Sequence, residues 1–495
     1  MDTLFHSGCH RMSRYVVGLM VSSNGTFWRS NFPRWYFISL DYDTDRRIEQ
    51  TGLAPYDTSI QSQQIVIMTN SLSQKTLWRH DIAAGVLAYF TTAPAILICF
   101  YILDPIIHNQ FPTLSLLCLW SGITTLIGSR WIGVPLVMIP NISVISILVF
   151  SLYWGEAWSS RHIILILILV SILLIIMGFL GVGKKLEHHL PSFYPTALFA
   201  GLGFLLVTTG LRLGGFIVSH PVTFSFLGEM TTRSTVIVIT GLSIYLVAWS
   251  RSYFSPPLWG FSGALIISLL LNTFQFTLEA TPIWSAEYSL SLPFTDIKSL
   301  DLWYALPGIC FIVLLETMII GLAIRYVYPQ SYCLDRIFKM CGLGGVCSAM
   351  TGVPGPLPAP EGLGAILFQN SSWRSGIITG SLLILSSVFF RIILLPGNSI
   401  LVGPEVRVYP IGATMVIMLG IGCLTALKSI NWQENDQIIV VVVLCIIVPI
   451  THSILNGFGI SLIIYSVYHI LKGNTHRIHP ILYIIIIPFL INFLY

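Results

Sequence analysis

Apolar segments of membrane-spanning length follow one another along most of this chain. From residue 82 to residue 471 we count about fourteen, separated by short polar loops. A helix needs about 20 apolar residues to cross a bilayer, and only 9% of the 495 residues are charged, against about 25% in soluble domains. The apolar runs are continuous rather than alternating, which disfavours a β-barrel. The pattern predicts an all-α polytopic membrane protein whose main partner is the lipid bilayer.

Charge and cysteine usage exclude several classes of function. The net charge of +4 is small and dispersed, so nucleic acid is not an expected partner. The nine cysteines include no C-x-x-C pair, and most lie within apolar segments. Histidines, cysteines and carboxylates show no metal-ligand spacing, and no nucleophile–base pair suggests an enzyme. We therefore expect no metal and no organic cofactor.

The two ends of the chain differ from its middle. Residues 1–67 carry a dense charge cluster and no long apolar run, so they are either a cytoplasmic tail or an extension upstream of the native product, with Met68 as the true start. The second interpretation is favoured slightly, because Met68 directly precedes the basic residues before the first span. Residues 473–495 contain a last apolar stretch, from His479 onward, that is either an interfacial helix or a further span.

Basic residues predict the orientation in the membrane. Lys and Arg concentrate in alternate loops, from Lys75 and Arg79 before the first segment to Lys472 and Arg477 after the last. By the positive-inside rule these loops are cytoplasmic. The acidic loop 274–301 is then extracytoplasmic, and both ends of the membrane domain lie inside, which requires an even number of spans. The predicted location is the plasma (inner) membrane.

An internal repeat places two proline-rich stretches at matched positions. The triplet G-V-P begins at Gly133 in the third apolar segment and again at Gly352 in the tenth, and each stretch then reaches another proline, Pro140 or Pro360, that directly precedes a polar residue. A separation of seven spans inverts one half relative to the other, giving repeats at 68–273 and 302–472. Broken helices at matched positions of inverted repeats mark transporter solute sites. The alternative is that the second stretch is only a loop between spans.

Two carboxylates lie within the second predicted repeat. Glu316 is in the middle of an apolar segment, and Glu361 follows the prolines of the second stretch. Intramembrane carboxylates serve proton relays, ion pathways or solute contact, although either residue could instead be a structural carboxyl bonded to a neighbouring helix. Threonines in the apolar segments are weaker candidates, since each can bond to its own helix backbone: Thr91, Thr92, Thr208 and Thr209.

At these motifs the chain resembles the adenine/guanine/hypoxanthine (purine) permease branch of the nucleobase–cation symporter superfamily. The resemblance starts at Asp81 and extends to the C-terminus, and it rests on the order and spacing of several moderately specific motifs. They read DIAAGVLAYFTTAPAIL, VPLVMIPNIS, LPSFYPTALFAGLGF, LLETMIIG, TGVPGPLPAPEG and VPITHSILNGFG.

The resemblance implies fourteen spans in two inverted halves of seven, divided into a core and a gate domain. Spans three and ten would contain short strands, with the solute between them. Glu316 would contact the base or carry the coupling proton, and Glu361 would hydrogen-bond the base ring. The solute-binding residues expected on this basis are Glu316, Glu361, Thr317, Gly362, Asn141, Ser143 and Thr92.

The chain departs from the family pattern at several positions. Glu316 replaces an aspartate, Ile319 and Ile320 replace a glycine and a threonine, and Gly362 replaces a serine. The expected function is proton-coupled symport of a purine base or a related small planar solute, with a homodimer left open. The alternatives are a transporter of an anion such as sulfate, to which broken-helix N-termini would be suited, and a non-transporting scaffold or sensor.

Overall fold

The computed structural model describes residues 74–103, 110–156, 158–220, 224–273, 300–329, 333–362, 371–389, 400–402, 406–474 and 479–494. Two expected regions lie outside them: the N-terminal extension 1–67 and nearly all of the acidic loop 274–301. In the first half the helices are α1 (Gln74–Leu103), α2 (Gln110–Ile132), α3 (Ile142–Ser146, continued by a π-helix Ile147–Gly155), α4 (Ser160–Phe179), α5 (Val182–His189), α6 (Tyr194–Leu213), α7 (Arg233–Ser250) and α8 (Pro256–Leu270).

The second half is also mainly helical. Its helices are α9 (Leu300–Val327), α10 (Leu334–Met350), α11 (Trp373–Val388), α12 (Pro410–Cys423, continued by a 3-10 helix Leu424–Ser429), α13 (Asn435–Thr451), α14 (Ile454–Leu471) and α15 (Pro480–Leu494). Among the described residues, seven helices are long and apolar enough to cross a membrane: α1, α4, α6, α7, α9, α12 with its extension, and α14. The mostly helical membrane fold is thereby confirmed, whereas the count of fourteen spans stays a prediction.

Three short antiparallel strand pairs accompany the helices. Strand β1 (Met138–Pro140) pairs with β4 (Pro356–Pro358), so that Ile139 lies opposite Leu357. Strand β2 (Ile217–His220) pairs with β3 (Phe224–Leu227), and β5 (Ile400–Val402) with β6 (Val406–Val408). Of these, only the first joins segments that are far apart in sequence, and it joins the two predicted proline-rich stretches.

The two glycines of the repeated G-V-P triplet end the helices before these strands. Gly133 follows α2 with φ of +88°, and Gly352 follows α10 with φ of +83°. A left-handed residue after the last helical turn is usually glycine, because a Cβ atom is unfavourable there. The proline that ends each triplet, Pro135 or Pro354, cannot continue a helix. The repeated sequence therefore produces the same local change, from helix to extended chain, in both halves.

Hydroxyl groups of α2 provide hydrogen-bond partners for the extended backbone before and within β1. Thr125 Oγ1 accepts from the N–H of Met138 at 2.9 Å and lies 3.2 Å from its carbonyl oxygen. Ser129 Oγ makes the same two contacts with Leu136, at 3.2 and 2.9 Å. Lipid supplies no hydrogen bonds, so non-helical backbone at membrane depth depends on such partners.

Helix pairs from opposite halves pack closely where small residues meet. Helix α2 packs on α11, α10 on α4, and α6 on α12. At the first crossing a Cβ atom added to Gly122 would lie 2.7 Å from the carbonyl oxygen of Gly380, and one added to Gly380 would lie 2.7 Å from that of Gly122. Small residues that allow backbones to approach are typical of membrane helix interfaces.

Three further details concern the helix ends and their packing. Only His452 and Ser453 separate α13 from α14, and Asn456 belongs to the first turn of α14. Phe90 of α1 stacks on Phe261 of α8 at 4.1 Å between ring centroids. The apolar stretch from His479 forms α15, which packs against α14.

Gly122→Ala should destabilise the α2–α11 crossing, because the new methyl group meets backbone atoms that cannot rotate away. We expect a loss of about 1–3 kcal/mol, as for overpacked cores, measured by thermal unfolding of the purified protein in detergent. Gly308→Ala is the matched control, since a Cβ atom at Gly308 has nothing within 4 Å. Equal melting temperatures for the two variants would contradict the close approach.

Thr125→Val should destabilise the extended segment, because it removes the hydroxyl and leaves the N–H of Met138 without that partner. Loss of a partner for a buried polar group costs about 1–3 kcal/mol, and the same unfolding assay measures it. Thr240→Val is the control, because Thr240 bonds only to the Val236 carbonyl of its own helix. If Thr125 only fills space, the two variants should lose the same amount of stability.

Candidate solute-binding site

Asn141 begins helix α3 directly after β1 and turns its side chain toward the interior. Its Oδ1 accepts hydrogen bonds from the N–H groups of Ser143, at 2.8 Å, and Val144, at 3.2 Å. Asparagine is a favoured N-cap because its oxygen satisfies the free donors of the first turn. Its Nδ2 lies 3.5 Å from Oε2 of Glu316 on α9, at the long end of hydrogen-bonding distances. One side chain thus ends the strand, starts the helix and contacts the intramembrane carboxylate.

Glu361 lies after β4, where the chain also returns to a helical conformation. The N–H of Ala359 donates to the carbonyl oxygen of Val137 at 3.0 Å, which extends the strand pairing by one residue. Helical conformation begins at Pro360, where the missing N–H costs nothing because the first turn has free donors in any case. Glu361 is therefore in the first turn of a helical segment, as Ser143 is in α3.

A cavity of about 190 Å³ lies where these two strand-to-helix junctions meet. It is bounded by α1, the β1–α3 junction, α6, α9, the residues after β4 and the junction of α13 with α14. Its lining residues are Ala95, Ile139, Pro140, Asn141, Ile142, Ser143, Leu205, Leu206, Thr209, Glu316, Ile320, Pro358, Ala359, Pro360, Glu361, His452 and Ile454.

Four of the seven predicted solute-binding residues line this cavity. Asn141, Ser143, Glu316 and Glu361 come from three separate parts of the chain and meet only in the folded protein. Ile320, one of the departures from the family pattern, also faces the cavity and replaces a polar side chain with an apolar one.

The other three predicted residues do not line the cavity. Thr92 is fully buried and its hydroxyl donates to Ala88 at 2.8 Å within its own helix. Thr317 is also fully buried and donates to Val313 at 2.7 Å. Gly362 packs against Val137. In both threonines the helix backbone competes successfully for the hydroxyl, which is the alternative that the sequence offered for Thr92.

The two carboxylates differ in their surroundings. Glu316 is 2% exposed, and its Oε1 has no hydrogen-bond partner among the described residues. Glu361 is half-buried. A buried polar atom without a partner is costly to the fold, so a carboxylate oxygen left in this state next to a cavity is available to a bound solute or proton. In the described part of the chain, no group of three or more His, Cys, Asp or Glu residues could hold a metal ion.

Two further polar residues line the cavity: Thr209, one of the weaker sequence candidates, and His452, which the sequence analysis did not single out. Thr209 lies on α6, and His452 lies at the junction of α13 and α14. The sequence contained a signal for His452, because an ionisable residue between two apolar helices is a functional candidate by default. Thr209 cannot be told from Thr208 by sequence, since only the helix rotation decides which of them faces the cavity.

Comparison with known proteins identifies relatives of one kind. No protein-family model matches the chain. It is 20% identical over 442 residues to the guanine/hypoxanthine permease PbuO of Bacillus subtilis, covering 85% of this chain and 98% of the permease. It is 21% identical to the nucleobase transporter PlAzg2 of Paenibacillus larvae, covering 79% and 77%. The adenine permease AdeP of Escherichia coli is 20% identical, with 62% of this chain and 68% of the permease covered.

Among solved structures the chain is similar to the transmembrane domain of a cyanobacterium bicarbonate transporter, BicA. The TM-score is 0.45 at 14% identity, covering 77% of this chain and 97% of that chain, a likeness too distant to indicate a shared solute. The curated relatives confirm the resemblance predicted from the motifs, and they are consistent with a divergent member of the purine nucleobase permease family.

Proposed function

We propose that this protein is a secondary active transporter that carries a purine nucleobase, or a related small planar solute, together with protons. One observation carries the proposal: an intramembrane cavity in which Glu316 and Glu361 face the same space at the junction of two interrupted segments. Carboxylates accept hydrogen bonds from ring and amino N–H groups, which purine bases present along their edges. The purine permeases among the relatives support this class of solute.

We further propose that the chain consists of two inverted repeats, 68–273 and 302–472. The packing of the helices supports this. If α2 corresponds to α10 and α4 to α11, exchanging the halves converts the α2–α11 contact into the α10–α4 contact. The α6–α12 and β1–β4 contacts convert into themselves. A twofold relation between the halves predicts this pattern of contacts. The repeated G-V-P triplets lead into the β1–β4 pair, which this relation converts into itself.

In this proposal each polar side chain has a defined role. Glu316 contacts the base and carries the coupling proton, Glu361 hydrogen-bonds the base ring, and Asn141 orients Glu316 while capping α3. Transport follows from movement of one domain against the other around the cavity. The cavity walls come both from the β1–α3 and β4 junctions and from α6 and α14, so such a movement would open and close it. The proposed setting is the plasma membrane, with both ends of the membrane domain in the cytoplasm.

Glu316→Gln and Glu361→Gln should each reduce purine uptake by about ten- to a hundredfold, since hydrogen bonds to charged groups contribute about 1.5–3 kcal/mol and 1.4 kcal/mol is tenfold. Uptake of radiolabelled adenine, guanine, hypoxanthine and uracil is measured in cells that lack their own base permeases, with and without a protonophore. Glu156→Gln is the matched control, because Glu156 is an exposed carboxylate outside the cavity lining.

We expect wild type and the control variant to take up a purine. This uptake should be lost in both cavity variants and abolished by the protonophore. Uptake that survives the protonophore would remove proton coupling from the proposal and leave the solute in place. No uptake of any base by protein present at the membrane would contradict the proposal and bring forward an anion substrate or a scaffold role.

A further inference from the structure

The junction between α13 and α14 places a histidine at the cavity. Helix α13 ends at Thr451, two residues after Pro449, which lacks the N–H of a normal helix residue. Helix α14 begins at Ile454, and Ser453 caps it by accepting a hydrogen bond from the N–H of Asn456 at 3.2 Å. Only His452 and Ser453 separate the two helices, and His452 lines the same cavity as Glu316 and Glu361.

The backbone at His452 is in the left-handed region, with φ of +50°. Glycine adopts this conformation without a Cβ penalty, and asparagine adopts it more readily than most residues. The turn itself does not require an imidazole, because the cap of α14 is made by Ser453. The histidine ring therefore needs an explanation other than the geometry of the turn.

The Nε2 atom of the His452 ring makes no hydrogen bond that would join α13 to α14. This atom is buried and has no hydrogen-bond partner among the described residues. A histidine that serves only to hold two helices together would bond to a carbonyl group or a side chain of one of them. Here a hydrogen-bonding group is held, without a partner, in a residue that lines the proposed solute cavity.

We propose that His452 hydrogen-bonds the transported solute from the wall formed by the α13–α14 junction and helps to determine which solute binds. The inference rests on the proposed function and deepens it. The two glutamates only accept hydrogen bonds when ionised, whereas a neutral imidazole has one donor and one acceptor nitrogen. His452 therefore adds to the cavity a side chain able to donate to a ring nitrogen or carbonyl oxygen of a flat heterocycle.

The test compares His452→Gly with wild type in the full-length purified protein. Glycine keeps the left-handed turn and removes only the ring, so the variant should fold. Thermal stabilisation by increasing guanine, hypoxanthine or adenine reports each apparent Kd, because a ligand that binds only the folded state raises its melting temperature. We expect the Kd of the preferred base to rise about tenfold, as for loss of one hydrogen bond.

Asn272→Gly is the matched backbone control. Asn272 has the same φ of +50° but is exposed and does not line the cavity, so its variant should bind the base with the wild-type Kd. If the glycine variant does not fold, His452→Asn replaces it, because asparagine tolerates the turn but is too short to place a polar atom where the imidazole Nε2 lies.

The outcomes separate this inference from the proposed function. Both the transporter proposal and the role of His452 are supported if a base stabilises wild type and Asn272→Gly equally but stabilises His452→Gly only at about tenfold higher concentration. Equal Kd values for all three proteins would overturn the role of His452 and leave the purine transporter proposal standing. No stabilisation of wild type by any base would overturn the transporter proposal together with the inference.

Discussion

Every backbone N–H and C=O group at membrane depth needs a partner, and this requirement shapes the centre of the protein. Helices meet this requirement with their own backbone hydrogen bonds, but two segments of this chain are extended instead of helical. Strands β1 and β4 pair with each other, and Thr125 and Ser129 of α2 bond to the extended chain that leads into β1. With these partners the chain can be extended inside the bilayer, and Asn141 and Glu361 can then follow at the starts of helical segments.

The site combines groups that would each be unfavourable alone. Glu316 is almost fully buried within an apolar helix, with one oxygen near Asn141 and the other without a partner among the described residues. Elsewhere in the fold the helices pack closely, as at the contact of Gly122 with Gly380. The free energy gained from close helix packing offsets the cost of burying polar groups at the cavity.

Sequence reasoning singled out Glu316 and Glu361 by their place among the apolar segments, and the family resemblance added Asn141 and Ser143. All four line one cavity, and their contact with a solute stays a prediction. Hydroxyl residues are harder to place from sequence, because a threonine in a helix can bond to the carbonyl group one turn before it. Thr92 and Thr317 do so, whereas Thr209 faces the cavity.

The amino-acid sequence by itself determined that this is a helical membrane protein, that two G-V-P stretches interrupt its helices, and that two carboxylates lie within its apolar segments. Hydrophobic length, proline and glycine act locally, so these features can be read without knowing the fold. Only the tertiary structure decided that the interrupted segments pair with each other and that α6 and the α13–α14 junction close the same cavity. Those contacts join residues more than a hundred positions apart, and they depend on how helices rotate and cross, which no local pattern specifies.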